Sequence, residues 1–359
     1  MPTGSSSATP TGGWPRAAGL GCHLATDQND VRAAYLLHDV GYADLFERCF
    51  CSCEVGATKD DPARSAGTST RGSPSCAVDS AAQGSGRPDR LRGVSFDPGT
   101  PPPAAATDDH VLATWLAEAA GRRLLEVRQE GLEGRELKDA GDRAAHELLM
   151  SLLAEHRPGD AVLSEEGKDD KARLGQDRVW IIDPLDGTRE FSEVPREDWA
   201  VHVALWERNA DGGDLTAGAV AQPALGETFH TGAPPVVPPS TAPRPRIAVS
   251  RSRPPAFVQA LAAELDAELV PMGSAGVKVI SVARDLTDAY VHAGGQYEWD
   301  SAAPVAVARA AGLFTSRIDG TPLEYNQDDV YLPDLIVCRP ELAEQILAFI
   351  ERNGVTSAG

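Results

Sequence analysis

The residues best suited to chemistry lie in one stretch, 179–191, which reads VWIIDPLDGTREF. Its apolar beginning predicts a strand that ends at Asp183, and Pro184 then forces a turn. The turn would return Asp186 to a place beside Asp183, with the Leu185 carbonyl oxygen facing the same space. Because Mg²⁺ prefers carboxylate and carbonyl oxygens as ligands, the stretch predicts a magnesium site.

The two residues that follow indicate phosphate chemistry at the same place. Gly187 and Thr188 would begin a helix, and the unpaired N–H groups of a first helical turn suit a phosphate. Two carboxylates beside a phosphate cradle are the arrangement that a Mg²⁺-dependent phosphatase needs. The alternative is an acidic turn on the surface, because Asp-Pro and Asp-Gly are frequent turn dipeptides.

Two further acidic segments favour the metal site over the surface turn. Glu165 and Glu166 end a short apolar run that begins at Val162. Asp300 lies in the sequence EWDSAAP at the start of a predicted helix, where by itself it would be an ordinary N-cap. Acids at the ends of separate elements are what a metal site assembled from distant parts of a chain requires.

The segments that must position these residues have the pattern of a layered α/β protein. Apolar residues at helical spacing predict helices from residue 108 or 109 to 127 and over 141–155, 256–265, 275–284, 301–311 and 342–352. Short apolar runs predict strands over 161–163, 179–182, 201–205, 217–221, 228–230, 247–249, 288–291 and 335–337. The Pro-rich stretch 233–245 is the strongest internal boundary.

Composition changes near residue 106. Residues 56–106 are rich in Gly, Pro, Ser, Thr and Ala, and their few large apolar side chains are not enough to offset the entropy cost of ordering the segment. We therefore predict a disordered N-terminal extension over 1–105, with short helices at 29–50. One catalytic domain is expected over 106–359, with halves at 106–235 and 246–359.

Charge and cysteine usage restrict the partners and the compartment. The formal net charge of −20 argues against a nucleic-acid polymer or an anionic membrane surface as partner. No apolar run approaches the roughly 18 residues of a spanning helix, and the first residues lack the pattern of a signal peptide. Five of the six cysteines precede residue 77, which does not suit a disulfide framework through the folded part. We expect a cytoplasmic protein.

The acidic segments, in the order Glu165-Glu166, DPLDGT and WDSAAP, resemble the signature of the inositol monophosphatase superfamily. Over about residues 107–353 the chain is most similar to the CysQ-type 3′(2′),5′-bisphosphate nucleotidases in their actinobacterial form. The resemblance implies alternating helix and sheet layers of the inositol monophosphatase/fructose bisphosphatase type. It also implies Mg²⁺-dependent hydrolysis of 3′-phosphoadenosine 5′-phosphate (PAP), and of the sulfated nucleotide PAPS, to AMP or APS and phosphate, in connection with sulfate assimilation.

The resemblance further assigns roles to residues of this chain. The metal ligands would be oxygens of five residues, with one carboxylate shared between ions: Glu165, Asp183 (shared), the Leu185 carbonyl, Asp186 and Asp300. Two or three Mg²⁺ ions and inhibition by Li⁺ are expected. Thr188 and Asp142 would join Glu165 in catalysis by orienting the attacking water, although the Thr-x-x-Asp preface of the family is missing before Asp142.

Substrate-binding residues follow from the same resemblance. Arg189, in Arg-Glu-Phe after DGT, is typical of the nucleotidase branch, and Gly187, Thr188 and Asp300 would also contact substrate. Ser250 and Arg251 resemble a family segment near the nucleotide. Ser274 and Lys278, at a predicted helix start, suit the 5′-phosphate. Tyr297 and Trp299 flank Asp300; stacking on adenine stays open for Tyr297, and a core position is favoured for Trp299.

Two alternatives stay open. The first is another phosphomonoesterase of the superfamily, acting on inositol phosphate or fructose bisphosphate. The second is a catalytically silent regulator that binds a nucleotide or metal.

None of the eight histidines lies in these motifs, which disfavours a histidine nucleophile or general base, and no GxSxG or P-loop motif occurs. The partner is a small nucleotide, and a homodimer is compatible with the sequence.

Overall fold

The computed structural model describes residue 103, residues 107–252 and 254–356, and the backbone of three short strands before them. Strands β1 (His23–Thr26) and β2 (Arg48–Cys51) pair in parallel as a two-stranded sheet. They belong to a compact unit over Met1–Ser85, and a second unit covers Gly86–Gly359. Apart from these strands, the predicted extension and its helices at 29–50 lie outside the described residues, and residues 48–50 are strand.

The second unit contains a six-stranded sheet. Its strands are β3 (Val94–Ser95), β4 (Ala161–Ser164), β5 (Arg178–Asp186), β6 (Ala200–Glu207), β7 (Asp214–Gln222) and β8 (Glu227–His230), in the order β3-β8-β7-β6-β5-β4. Strands β4 and β5 are parallel, and the other neighbours are antiparallel. Helices α1 (Asp109–Val127) and α2 (Gly134–His156) cover one face with a core that includes Leu116, Leu149 and Trp180.

A five-stranded sheet forms the other half of this unit. Its strands are β9 (Arg246–Ser250), β10 (Glu268–Met272), β11 (Ala289–Ala293), β12 (Phe314–Ser316) and β13 (Asp334–Cys338), in the order β10-β9-β11-β13-β12. The first three strands of that order are parallel, and the last two pairings are antiparallel. Helices α4 (Ala256–Glu264) and α7 (Pro340–Asn353) cover its outer face.

Helices α5 (Ala275–Ala283) and α6 (Glu298–Ala310) lie between the two sheets. One apolar cluster joins Ile181 and Ala204 of the first sheet, Ala303 of α6, and Tyr290 and Val337 of the second sheet. The order of layers is therefore helix, sheet, helix, sheet, helix, which confirms the predicted layered α/β class. Residues 233–245 connect the sheets, but the halves on either side share this central core.

The structure differs from the predicted elements where a segment is partly exposed, because its sequence then carries little hydrophobic pattern. Strand β10 is an edge strand with no fully buried residue, and β12 has only three residues. Helix α2 begins at Gly134, before the predicted start at 141. Its first turns are mostly exposed and carry few apolar residues, so the hydrophobic pattern did not indicate them. Short helical turns also form at Lys171–Gly175 and Pro223–Leu225. No helix in the described part of the chain combines the length and apolar character needed to cross a membrane.

Candidate active site

Strand β5 carries Asp183 and Asp186 to one end of the first sheet. The pairing with β6 shifts between these two residues, so that both carboxyls are buried at the strand end. The Leu185 N–H donates to Asp183 Oδ1 at 3.0 Å, which closes the predicted turn. Gly187 follows with φ of 87°, and a Cβ there would lie 3.2 Å from the Cβ atoms of Trp199 and Ser274. A side chain at Gly187 would therefore strain both the backbone and its neighbours.

Glu165 reaches the same place from β4. Because β4 and β5 are parallel, their carboxyl ends meet at one edge, which brings Glu165 toward Asp183. Burial and the charge of Glu165 raise the pKa of Asp183 well above its usual range. Desolvation of its carboxyl and the charge of Asp186 raise the pKa of Glu165 to about 7, although the residue as a whole has exposed surface.

Asp300 enters from the first turn of α6. Its Oδ2 accepts the Tyr297 N–H at 2.7 Å, so Asp300 takes part in capping as the third helical residue, while the N-cap itself is Tyr297. Loss of solvent around the carboxyl and the charge of Asp186 raise the pKa of Asp300 to about 7. Asp300 therefore faces the other acids, and capping accounts for one of its two oxygens.

Asp186 differs from the other acids because protein donors surround it. Its carboxylate accepts the Ser274 hydroxyl at 2.5 Å and the N–H groups of Ala275 at 3.1 Å and Gly276 at 2.6 Å. Burial opposes its ionisation, but His202, Ser274 and Lys278 outweigh that cost and lower its pKa to about 2. Asp186 thereby joins β5 to the start of α5.

Lys278 lies beneath this helix start and is buried. Its Nζ donates to the Ser274 carbonyl at 2.5 Å and stands 5.3 Å from the centre of the Tyr290 ring. Burial lowers the pKa of Lys278. The ammonium group thus stabilises the 273–274 turn, while the N–H groups of Ala275 and Gly276, at the helix start predicted to hold a phosphate, donate to Asp186.

His202 belongs to the site, and the sequence motifs missed it. It lies on β6 directly opposite Asp183 and is fully buried. Its Nδ1 donates to the Trp299 carbonyl at 3.2 Å and lies 3.9 Å from Asp183 Oδ2. Its Nε2 is 3.2 Å from Asp186 Oδ2, a short distance at which the two groups are poorly aligned for a hydrogen bond. The available signal was a single polar residue inside the apolar run of β6.

Thr188 and Asp142 come together as the sequence expected. The Thr188 hydroxyl lies 3.4 Å from Asp142 Oδ1 and 3.2 Å from the Leu185 carbonyl oxygen, and its one proton serves one acceptor at a time. Burial, with the charge of Glu166, raises the pKa of Asp142 to about 7. A hydroxyl next to such an acid can pass a proton near neutral pH.

Ion pairs and aromatic rings lie around these acids. Arg189 is exposed and pairs with Glu193, while Arg251 donates to Glu190 at 2.8 Å and to Glu193 at 2.9 Å. Ser250 ends β9, immediately before Arg251.

Next to Asp300, the rings of Tyr297 and Trp299 stack with centroids 4.9 Å apart. Tyr297 is 42% exposed and Trp299 is partly buried, so Tyr297 offers the more accessible ring.

The acids suit a metal ion. Asp183, Asp186 and His202 each offer a ligand atom, and these atoms lie within 4.8 Å of one another. Desolvation and mutual repulsion raise the pKa values of Asp183, Glu165 and Asp300, and a divalent cation would remove the repulsion. The donors are mainly carboxylates, which points to a metal-dependent site.

Comparisons with known proteins agree with this geometry. The profile of the inositol monophosphatase family matches residues 109–354. The 3′-phosphoadenosine 5′-phosphate phosphatase of Mycobacterium leprae is 52% identical over 256 residues, covering 68% of this chain and 94% of that protein. Its counterpart from Mycobacterium tuberculosis is 54% identical, covering 64% and 89%. The 3′(2′),5′-bisphosphate nucleotidase CysQ of Escherichia coli K12 is 32% identical, covering 54% and 81%.

Solved structures show the same fold. CysQ from Bacteroides thetaiotaomicron superposes with a TM-score of 0.57 at 28% identity, covering 65% of this chain and 98% of that one. Inositol monophosphatase II from Staphylococcus aureus gives a TM-score of 0.57 at 21% identity, covering 67% and 94%. The second likeness concerns the fold alone.

Proposed function

The chain belongs to the inositol monophosphatase family, and from this premise we propose that it hydrolyses 3′-phosphoadenosine 5′-phosphate to AMP and phosphate. The observation that carries the proposal is the convergence of acids from β4, β5 and α6 in a chain whose relatives named for that activity are 52–54% identical. Hydrolysis of PAPS to APS is the second expected reaction, and both link the protein to sulfate assimilation.

We propose that Mg²⁺ occupies the acidic site. The ligands would be Glu165, Asp183, the Leu185 carbonyl, Asp186 and Asp300, with Asp183 shared between ions. When bound, such ions supply charge neutralisation for the transferred phosphoryl group and acidify water. The raised pKa values of Glu165 and Asp300 support this assignment, because a bound cation would hold both carboxyls ionised. Inhibition by Li⁺ is the corresponding expectation.

Thr188 and Asp142 are proposed to orient the attacking water. Thr188 begins helix α3 (Thr188–Ser192), next to the acids of β5, and its hydroxyl faces both Asp142 and the Leu185 carbonyl. The pKa of Asp142, about 7, suits a group that takes a proton from water through this hydroxyl near neutral pH.

The substrate would bind along the same edge. We propose that Gly187, Thr188 and Arg189 contact the phosphate that is removed, together with Asp300. The 5′-phosphate would lie toward Ser250, Arg251, Ser274 and Lys278. Support for this side comes from Arg251, which stands next to α3 through Glu190 and Glu193, and from Lys278, which holds the 273–274 turn.

Phosphate release tests the proposal. The purified chain would be assayed with PAP, PAPS, inositol 1-phosphate and fructose 1,6-bisphosphate, with Mg²⁺, without Mg²⁺ and with added Li⁺. We expect the highest kcat/KM with PAP and no turnover without the metal. Preference for a sugar or inositol phosphate would establish the first alternative, and binding without turnover of any substrate would establish a silent regulator. A cytoplasmic location and a homodimer stay predictions from the sequence.

A further inference from the structure

We propose that Arg173 is a positioning residue, which fixes the loop carrying Glu165 against the helix carrying Asp300. The inference rests on the proposed metal site, since these two acids are its most distant members in sequence. Glu165 comes from the edge strand β4, and Asp300 comes from α6 in the central layer. Something must set the spacing between them.

Backbone hydrogen bonds hold the N-terminal side of the loop that carries Glu165. The Glu165 N–H donates to the Ile182 carbonyl at 3.4 Å, and the Gly167 N–H donates to the Ser164 carbonyl at 3.2 Å. After Gly167 the chain runs without regular structure to the short helical turn Lys171–Gly175. The C-terminal side of the loop therefore depends on contacts with other elements.

Arg173 provides the buried part of those contacts, beside the exposed Lys171, which pairs with Asp169 and Asp328. The Arg173 side chain is 1% exposed, and a charge buried to this degree almost always has a partner close by. Its Nε donates to Asp169 Oδ1 at 2.7 Å, and its Nη2 donates to Asp169 Oδ2 at 3.1 Å and to the Gln327 carbonyl at 2.8 Å. Its Nη1 donates to Asn326 Oδ1 at 2.6 Å. One guanidinium thus joins the loop to a segment 153 residues away, which a lysine ammonium could not do with the same planar geometry.

The second half of the connection runs through Glu298. This buried carboxylate accepts the Asn326 N–H at 2.6 Å and the Gln327 N–H at 2.7 Å. It lies in the first turn of α6, two residues before Asp300, and the Glu298 N–H donates to the Val330 carbonyl at 2.9 Å. A continuous set of hydrogen bonds therefore leads from Asp169, through Arg173 and Asn326, to Glu298.

This connection bears on the metal site because carboxylate ligands bind an ion only at a narrow range of separations. Partners that orient metal ligands typically contribute about 10- to 100-fold in metal affinity. Loss of the Arg173 fork would leave Glu165 in place on its N-terminal side but free to move away from Asp300. The expected effect is weaker metal binding rather than a slower reaction at saturating metal.

The test compares Arg173→Lys with the matched control Arg208→Lys. Arg208 holds the other end of the same helical turn, through the Leu174 and Gln176 carbonyls at 2.9 and 3.0 Å, and its own bonds do not reach residues 326–327. Binding of Mn²⁺ would be measured directly by the electron paramagnetic resonance signal of the free ion. The Mg²⁺ concentration for half-maximal phosphate release and kcat at saturating Mg²⁺ would be measured on the same samples.

We expect Arg173→Lys to weaken Mn²⁺ binding by about 10-fold or more, to raise the half-maximal Mg²⁺ concentration equally, and to keep kcat near the parent value. Arg208→Lys should bind Mn²⁺ as the parent does. Unchanged Mn²⁺ affinity in a folded Arg173→Lys protein, or an equal loss in both variants, would overturn the proposal.

A second variant covers the case in which Arg173→Lys does not fold. Asn326 has a left-handed backbone, with φ of 61°, so Asn326→Gly suits the backbone while removing the acceptor of Arg173 Nη1. It should weaken Mn²⁺ binding in the same direction, and parental affinity would again overturn the proposal. A parent protein that binds no Mn²⁺ and releases no phosphate would overturn the proposed function itself, whereas a metal-dependent parent with unaffected variants would overturn only the role of Arg173.

Discussion

At the residue scale, protons and a divalent cation compete for the same carboxylate oxygens of this site. Desolvation and the charge of Asp186 raise the pKa values of Glu165 and Asp300, and desolvation and the charge of Glu165 raise the pKa of Asp183. A divalent ion would displace protons from these carboxyls and leave them ionised. The pKa values of these carboxyls, the affinity for the metal and the stability of the fold are therefore coupled through the same few oxygens.

Asp183→Asn tests the central ligand. We expect kcat/KM for PAP to fall by at least about 100-fold. Loss of a residue that only supports a metal ligand can reduce activity by up to about 100-fold, and Asp183 would be a ligand itself. The melting temperature of the metal-free protein should not decrease, because the substitution removes a buried acid whose ionisation is unfavourable. Asp177→Asn is the matched control, since this acid precedes the same strand with a side chain that is 84% exposed. Parental turnover in folded Asp183→Asn would refute the site.

The raised pKa values predict how stability depends on pH. Asp142, Glu165 and Asp300 have pKa values of about 7 in the folded protein, against ordinary values of 3.8, 4.5 and 3.8. These groups bind more protons folded than unfolded between about pH 4.5 and 7, so their contribution to stability decreases as pH rises through that window. Mg²⁺ competes with those protons, and the increase in melting temperature that it gives should grow from pH 5 to 7.5.

Thermal unfolding with EDTA and with Mg²⁺ across this range measures that increase. Two histidines with lowered pKa values, His230 and His292, contribute in the opposite direction. Taking the difference between the two conditions cancels their effect, because neither belongs to the proposed ligands. An increment that is constant or falls with pH would contradict the assignment, and Asp300→Asn should reduce its pH dependence.

Lys278→Ala separates nucleotide recognition from general support. If the 273–274 turn and Lys278 hold the 5′-phosphate, KM for PAP should increase more than KM for inositol 1-phosphate, which has no second phosphate. The buried hydrogen bond from Nζ to the Ser274 carbonyl makes the turn itself dependent on this lysine. Steady-state kinetics with both substrates decide the matter, and equal losses would assign Lys278 to support of the turn alone.

At the scale of elements, the site depends on how closely α5 approaches the first sheet. Asp186, at the end of β5, accepts N–H groups from the first residues of α5, and the ring of His202 on β6 fills the space beneath Gly276. A carboxylate at a helix N-terminus is favourable because the helix dipole and the unpaired N–H groups attract it. A potential metal ligand thereby also fixes a helix in the central layer.

Gly276→Ala tests this close approach. A Cβ at residue 276 would overlap the His202 ring at Nε2, so α5 or the ring must move. We expect a loss of about 1–3 kcal/mol in the free energy of unfolding, measured by denaturant titration, and weaker Mn²⁺ binding. Gly159→Ala is the control, because nothing lies within 4 Å of its added Cβ. Similar stabilities for the two variants would show that α5 has room to adjust.

At the scale of the whole molecule, the described residues of Gly86–Gly359 contain the complete layered fold and all of the proposed site. The family profile covers 109–354 and does not extend into the N-terminal segment. Among the described residues of this unit, strand β3 is the one element before residue 106, and its two residues pair with Thr228 and Glu227 at the sheet edge.

We expect residues 1–105 to be dispensable for catalysis. The chains 92–359 and 106–359 would be compared with the full chain for kcat/KM and melting temperature. Both should keep kcat/KM within about a factor of two, since an edge strand of two residues contributes little to the core. Loss of activity or solubility in 106–359 with 92–359 unaffected would assign the effect to β3. Losses in both would show that the N-terminal segment supports the domain.

The sequence alone predicted the chemistry and determined most of the elements. Asp183 and Asp186 follow an apolar strand across a proline, and Glu165 and Asp300 stand at the ends of other apolar segments, so local pattern was enough to predict all four as ligands. Local pattern also located most helices and strands to within a few residues, because buried faces repeat at helical or strand spacing. The family resemblance rests on the same short segments.

Only the tertiary structure decided how the acids are supported. His202 reaches Asp186 from β6, Arg173 reaches Asn326 across 153 residues, and Asp186 binds the start of α5 across 89. The partners in these contacts leave no signal in the local sequence, since each depends on which elements become neighbours when the two sheets enclose the central helices. Edge strands such as β10 were missed for the related reason that residues without a fully buried face show no hydrophobic period.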